Sequence, residues 1–425
     1  MNERNWQSVC IKDVCDFIVD CVNKTAPIVD WETPYKMIRT TNVKSGWVNL
    51  AGVRYVSEET YVKWTRRDVP KKGDVILTRE APLGEVGMIR SEDTIFLGQR
   101  LVQYRANRTK LDNRFLLYAF QSDDLQGQIK SFGSGSTVEH MRVPDCEKLM
   151  LQLPPLPVQT KIADILSAYD DLIENNARRI KILEEMAQLL YREWFVNFRF
   201  PRHEDVKLVE SAIGLIPEGW KIVKAPNAVS INPKTVVAKE GNKPFVPMGC
   251  LSGNSMLIEN IESRTGNSGA KFKNEDTLFA RITPCLENGK TGYVQFLSSK
   301  TAVAFGSTEF IVLRSQTLCP EFVYLMARSD RFRENAIKSM SGATGRQRVQ
   351  EACFDAFLFA HSDKRTLSEF SKIISQMFRQ IYVLAQKNRN LRQTRDRLLP
   401  KLISGEIDVE ALDLGSLEPG ESIGA

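Results

Sequence analysis

Two long amphipathic stretches constrain this chain more than any other feature. One runs over about 157–197 and the other over about 363–402, so each closes one half of the 425 residues. The first sets Ile162, Leu166, Tyr169, Ile173, Asn176, Ile180, Leu183, Ala187, Leu190 and Trp194 at alternating steps of four and three. The second does the same with Leu367, Phe370, Ile374, Met377, Ile381, Leu384, Asn388, Leu391, Arg395 and Leu398. Such spacing puts a single apolar stripe on each helix, the pattern of a coiled-coil seam. A buried amide without a partner is costly, so Asn176 and Asn388 are expected to face each other. Pairing them in opposite directions sets every other layer. Leu166 meets Leu398, Ile173 meets Leu391, Ile180 meets Leu384, Leu183 meets Ile381, Ala187 meets Met377, Leu190 meets Ile374 and Trp194 meets Phe370. Tyr169 opposite Arg395 is the polar layer, to be satisfied by stacking. The expectation is an antiparallel intramolecular coiled coil. About 40 residues at 1.5 Å each make a rod of roughly 60 Å, longer than a small domain is wide. The competing reading makes them core helices of two separate domains.

Ahead of each stretch lies the same order of elements. A strand ending in Arg is read at Gly73–Arg79 and again at Glu275–Arg281. Pro82 and Gly84 break the first, Pro284 and Gly289 the second, before Val86–Ile89 and Gly292–Val294 resume. Strands follow at Leu101–Arg105 and Glu309–Arg314, helices at Asn113–Lys130 and Glu321–Lys338, and short final strands at Leu149–Leu153 and Phe354–Phe359. Between helix and final strand lie Gly133–Thr137 and Ser341–Gly345. The offset stays between roughly 202 and 208 residues, so one α+β module is written twice. A duplicated reader joined by rods suits a target made of two separated half-sites, and duplex DNA is the commonest such target. Two-fold-related heads would read half-sites about one helical turn, roughly 34–36 Å, apart.

Hydrophobic content of 42% and charged content of 26% are those of a soluble globular protein. No apolar run reaches the length of a membrane span, and no signal-peptide core opens the chain, so neither membrane nor export is expected. Eight cysteines without a C-x-x-C pair, and three histidines, argue against zinc and against a disulfide framework. The thiols are expected to be reduced in a cytoplasm. A net charge of +6 is compatible with nucleic acid and shared by many unrelated proteins.

The segments Leu153-Pro-Pro-Leu-Pro-Val-Gln159, Lys161-Ile-Ala-Asp-Ile-Leu166 and Trp194-Phe-Val-Asn-Phe198 resemble the central conserved region of type I restriction-modification specificity (S) subunits. Leu398-Leu-Pro-Lys-Leu-Ile-Ser-Gly-Glu-Ile407 resembles their C-terminal conserved region. The resemblance implies a non-catalytic subunit. Its two target recognition domains, of mixed sheet plus helices, would each read half of a bipartite asymmetric site. Two long helices of pseudo-two-fold symmetry would set the spacer. It divides the chain into recognition domain 1 (1–155), a central helix (156–200), recognition domain 2 (201–362), a C-terminal helix (363–410) and a flexible tail (411–425). It implies double-stranded DNA, two modification (M) methyltransferase subunits and restriction (R) subunits as partners, with S-adenosylmethionine, ATP and Mg held only by those partners. A stand-alone two-headed DNA-binding scaffold or regulator is the alternative.

The chemistry of an enzyme is not written in the chain. Phe132-Gly-Ser-Gly135 follows a helix rather than a strand and is lost in the second half, which is wrong for a methyl-donor loop. No Asn-Pro-Pro-Tyr, Asp-Pro-Pro-Phe or G-x-x-x-x-G-K-[ST] motif occurs. The carboxylates of Pro144-Asp-Cys-Glu-Lys148 lie too close in sequence to come from separate strands around a metal.

Base reading needs Arg, Asn or Gln at groove edges, and phosphate anchoring needs Lys, Arg, Ser and Thr. In the first module the candidates are Arg79, Ser134, Ser136 and Thr137, with Arg39, Thr40, Asn42 and Lys44 as a second cluster. In the second they are Arg281, Thr344, Arg346, Gln347 and Arg348, with Lys271 and Lys273. Arg346-Gln347-Arg348 is the leading set, because an amide stands between two guanidinium groups. A solvated face or an ordinary tight turn is the competing reading at each. Lys63, Arg66, Arg67, Lys71 and Lys72 form a further basic run.

Overall fold

The structure, a computed structural model, describes residues 6–133, 139–343, 345–410 and 412. It packs as two compact units, residues 1–173 with 390–425, and residues 174–389. The two amphipathic stretches are single helices, Leu156–Phe195 and Lys364–Ile403, each of 40 residues. Pro157 stands in the first turn of the former, where its missing N–H costs nothing. Asp363 caps the latter, accepting from Arg365 N at 2.8 Å and Thr366 N at 3.0 Å. Gly405, at φ +75°, turns the chain out of that helix. The sequence-based boundaries treat the helices as pieces of their own; packing divides each between both units, because each half buries its stripe in the core of a different module.

Both modules share one plan. In the first, strand Leu101–Ala106 lies between Cys15–Asp20 and Val75–Arg79, antiparallel to both, and Leu83–Met88 continues the sheet. In the second, Phe310–Ser315 lies between Val229–Ile231 and Thr277–Ala280, and Thr291–Tyr293 continues it. A separate pair joins an early strand of each module to its last: Gln7–Cys10 with Met150–Leu153, and Lys221–Lys224 with Leu358–His361. The final strand of the second module therefore begins at Leu358 rather than Phe354, because 351–354 form a 3-10 turn. The modules differ at their margins. The first extends its sheet to six strands through Gly46–Val48 and Val43–Lys44, whereas the second adds a four-stranded sheet that includes Ala270–Lys273.

Each sequence-predicted module helix is two helices: Asn113–Phe120 with Asp123–Gly133, and Pro320–Arg328 with Asp330–Lys338. A serine makes both breaks. Ser122 Oγ donates to Ala119 O and accepts from Leu125 N; Ser329 Oγ donates to Met326 O and accepts from Phe332 N. One hydroxyl thus ends a helix and caps the next, and an Asp follows at the new positive end.

Within residues 174–389 the long helices run antiparallel in the expected register. Asn176 Nδ2 donates to Asn388 Oδ1 at 2.9 Å, and the rings of Trp194 and Phe370 lie 5.7 Å apart. Ile180, Phe370, Ile374, Ile381 and Leu384 are buried with them, and Leu183 is half-buried. Met377 is half-buried against this core, and the neighbouring Phe378 is buried too, its ring meeting Tyr293 and Tyr324 of the module. Within the other unit Leu166 packs with Leu399 and Leu402; Ile173 is buried, and Leu391 and Leu398 are half-buried. The polar layer is a correction. Arg395 turns to Asp170 at 2.5 Å, not onto Tyr169, and Asp170 also accepts from Tyr118 Oη at 2.8 Å. A carboxylate 3% exposed needs a cation, so charge pairing outweighs ring stacking there.

Candidate nucleic-acid interface

At one end of each duplicated sheet three loops are tied by the same main-chain bonds. Arg79 N donates to Arg100 O at 2.8 Å, and Met141 N to Arg79 O at 3.0 Å. In the second module Arg281 N donates to Glu309 O at 3.0 Å, and Val349 N to Arg281 O at 2.8 Å. Arg79, ending strand Val75–Arg79, and Arg281, just past strand Thr277–Ala280, therefore each bring three segments to one rim. These are the turn through Pro82 or Pro284, the entry to the next strand, and the segment that follows the second helix. Both turns carry a cis X-Pro bond, Ala81–Pro82 and Thr283–Pro284. At the opposite end of the same strand Arg105 grips Asp74 at 2.8 and 2.6 Å, and Arg314 grips Asp276 at 2.7 and 2.7 Å. Both carboxylates are buried, so these bidentate forks hold the strand pairs rather than meet a ligand.

Arg79 is a correction to the list of DNA candidates. It is 7% exposed, and its Nη1 donates to Met141 O at 3.0 Å. The strand aims it inward, where it latches the returning loop and no base edge can reach it. Arg281 repeats the latch through Val349 O and Glu351, yet its side chain stays one-quarter exposed. Asn42 is a second correction. It is 4% exposed, accepts from Arg39 N and donates to Asn49 O and Ala51 O, so it organises its own turn. Arg39 is half-buried and donates to Gly52 O; Thr40 is half-buried; Lys44 is exposed on the edge strand of the sheet. Ser134, Ser136, Thr137 and Thr344 lie outside the described residues, as does the tail apart from Leu412.

The rim of the second module carries the remaining candidates. Arg346 is exposed, Gln347 half-buried and Arg348 exposed, on a loop anchored by Thr283 N to Gln347 O at 3.1 Å and Gln347 N to Thr283 Oγ1 at 3.1 Å. Neither the Arg346 nor the Gln347 side chain has a hydrogen-bond partner among the described residues. Arg348 differs, forming a bidentate pair with Glu309 at 2.7 and 2.9 Å. That pairing holds the Glu309 carboxyl below its ordinary range. The first module places its charges the other way round. His140, on the strand position matching Arg348, meets Glu80 at 3.3 Å, and Arg100, matching Glu309, meets Glu80 at 3.2 Å. Lys273 is half-buried beside Asp276, while Lys271 and Arg281 line one cleft. In the basic run, Arg67 pairs with Asp20 and Lys72 with Glu92, so much of its charge is spent locally.

A Lys-Thr pair follows strand Cys15–Asp20 in the first module and Val229–Ile231 in the second, at Lys24–Thr25 and Lys234–Thr235. Sequence reasoning missed both. Lys-Thr also occurs at 290–291 and 300–301, so the only signal was the 210-residue separation, close to the offset of the other elements. Among the described residues no group of three or more His, Cys, Asp or Glu is gathered for a metal ion, and no helix is long and apolar enough to cross a membrane.

The fold of this chain, two similar α+β modules with two long helices, is found among solved structures of type I restriction-modification S subunits. The S subunit from M. genitalium shares it, with a TM-score of 0.56 at 15% identity, covering 95% of this chain and 97% of that one; the likeness is one of fold. Residues 3–185 match the family model described as the type I restriction modification DNA specificity domain. Over 375 residues the chain is 25% identical to the type I restriction enzyme MjaIX specificity subunit of Methanocaldococcus jannaschii, covering 85% of this chain and 83% of the relative. It is 20% identical over 402 residues to the HindI specificity subunit of Haemophilus influenzae, covering 79% and 87%.

Proposed function

We propose that this chain is the DNA sequence-specificity subunit of a cytoplasmic type I restriction-modification assembly. The observation that carries the reading is the rim built twice from one strand order, in a chain similar along most of its length to specificity subunits. Each rim reads one half of a bipartite, asymmetric double-stranded site, and the paired helices set the gap between halves. The chain is a recognition subunit, not an enzyme. Two M subunits supply S-adenosylmethionine and methylate an adenine in each half, and R subunits supply ATP- and Mg-dependent translocation and cleavage.

The central helix offers support for protein docking. Ile182, Met186 and Leu189 are exposed at steps of four and three, a second apolar stripe apart from the seam. Methyl transfer is the test. The purified chain with S-adenosylmethionine and duplex DNA transfers no methyl group, whereas the chain co-purified with an M-type methyltransferase does. Methylated adenines then map to two short motifs at one fixed gap. Methyl transfer by the chain alone overturns the reading. Sequence-specific binding without any methyltransferase partner in the host would favour the stand-alone scaffold.

A further inference from the structure

We infer that a cleft on the second module, beside the Gly345–Arg348 loop, seats the sugar-phosphate backbone of one DNA strand; this rests on the DNA-reading function proposed above. The cleft has a volume of about 430 Å3, and its polar walls are Asn232, Lys234, Thr235, Lys271, Arg281 and Thr308. Three different elements bring the cations together. Lys234 follows strand Val229–Ile231, Lys271 sits on Ala270–Lys273, and Arg281 directly follows Thr277–Ala280. No Asp or Glu lines the cleft, and neither Lys234 nor Lys271 makes an ion pair among the described residues. A basic cleft elsewhere on the first module, lined by Lys71, Lys72 and Arg90, differs in also holding Glu92 and Asp93, and Lys72 is paired with Glu92.

The chemistry fits phosphate rather than a base edge. A lysine ammonium is a compact charge without the planar fork that recognises a base pair, and lysines and hydroxyls are the usual phosphate anchors. The floor is backbone at Gly269, where φ is +102° and an added Cβ would stand 1.9 Å from Gly306 O. The groups suited to bases, Arg346 and Gln347, lie on the adjoining loop, which Arg281 ties to the cleft through Val349 N. A backbone seat next to a reading loop is what register on a duplex requires.

The test compares wild type with Lys234→Gln, Lys271→Gln and the double variant, each co-purified with its methyltransferase partner. The probes are a recognised and a scrambled duplex, across a salt series. The plot of log affinity against log salt is expected to become shallower by about 1 per lysine and about 2 for the double variant. The affinity ratio between the two duplexes stays constant. An unchanged slope overturns the inference, and so does a lost ratio at unchanged slope, which would make the lysines base readers. Competition by inorganic phosphate at matched ionic strength, with the slope unchanged in the variants, would make the cleft a small-anion site and overturn the backbone seat. Failure of the wild-type complex to bind either duplex would instead bring down the proposed function itself.

Discussion

Asn176 Nδ2 donates to Asn388 Oδ1 across 2.9 Å, and the two side chains are 8% and 3% exposed. Residues 212 positions apart thereby fix the layer in which the long helices meet. A one-layer slip would set each amide against an aliphatic side chain and leave it without this bond, so the pair selects one register over its neighbours.

The pair should behave as a coupled unit. Asn176→Leu or Asn388→Leu alone removes one side of this buried bond and is expected to cost about 1–3 kcal/mol. The double Leu variant should lose clearly less than the sum of the singles. Denaturant midpoints of the four proteins check this, and additive losses would show that the amides act independently.

Loop substitutions on the second module should separate reading from anchoring. Arg346→Ala or Gln347→Ala is expected to cost about 1–3 kcal/mol and to relax one half-site only. Arg348→Ala should have the smaller effect on DNA, because Glu309 already neutralises Arg348. Genome-wide mapping of methylated adenines reads the outcome; loss spread evenly over both half-sites contradicts it.

The Arg314–Asp276 fork should matter to folding rather than to reading. Asp276 has 1% side-chain exposure, so Arg314→Leu leaves a buried carboxylate without its cation. A loss of about 3–5 kcal/mol is expected, largely recovered in the Asp276→Asn, Arg314→Leu double variant. Thermal unfolding measures it. The sequence preference of variants that fold should be unchanged.

Glu184 makes stability depend on pH. Burial raises its carboxyl above the ordinary 4.5, while Met256 N at 2.6 Å and Ser255 Oγ at 2.8 Å pull the other way. Above about pH 4.5 the folded chain binds more protons at this group than the unfolded chain, so its contribution falls as pH rises. Below that value both states are protonated and the penalty vanishes. Glu184→Gln should therefore gain stability over wild type between pH 5 and 7, about the working range, and match it near pH 4. A gain that persists unchanged into acid would point elsewhere.

The misses among the site residues share a cause. Arg79 and Arg281 read alike in the sequence, both ending a strand before a Pro-bearing turn, yet one is buried and the other reaches a cleft. Asn42 has the chemistry of an adenine reader and spends it on Asn49 and Ala51. Arg348 stands beside Gln347 as a candidate base or phosphate contact, and nothing in the sequence signals that Glu309, 39 residues earlier, pairs with it. Each outcome depends on a partner distant in sequence or on which face of a strand a side chain leaves. The helix breaks at Ser122 and Ser329 are different, because a serine followed by aspartate is a local capping signal available without a structure.

By itself the amino-acid order determined the double module, the two long helices and their register. Heptad spacing, a constant offset and a matched pair of seam amides are properties of the chain read along its length. Only the tertiary structure decided which charged and polar groups remain for DNA. Arg395 chose Asp170 over Tyr169, and Arg79 became a latch, while Lys234 and Lys271 came together in a cleft without a carboxylate. The physical reason is that apolar periodicity acts through neighbours a turn away. The fate of a charge is set by whichever oppositely charged or hydrogen-bonding group folding brings within about 3 Å.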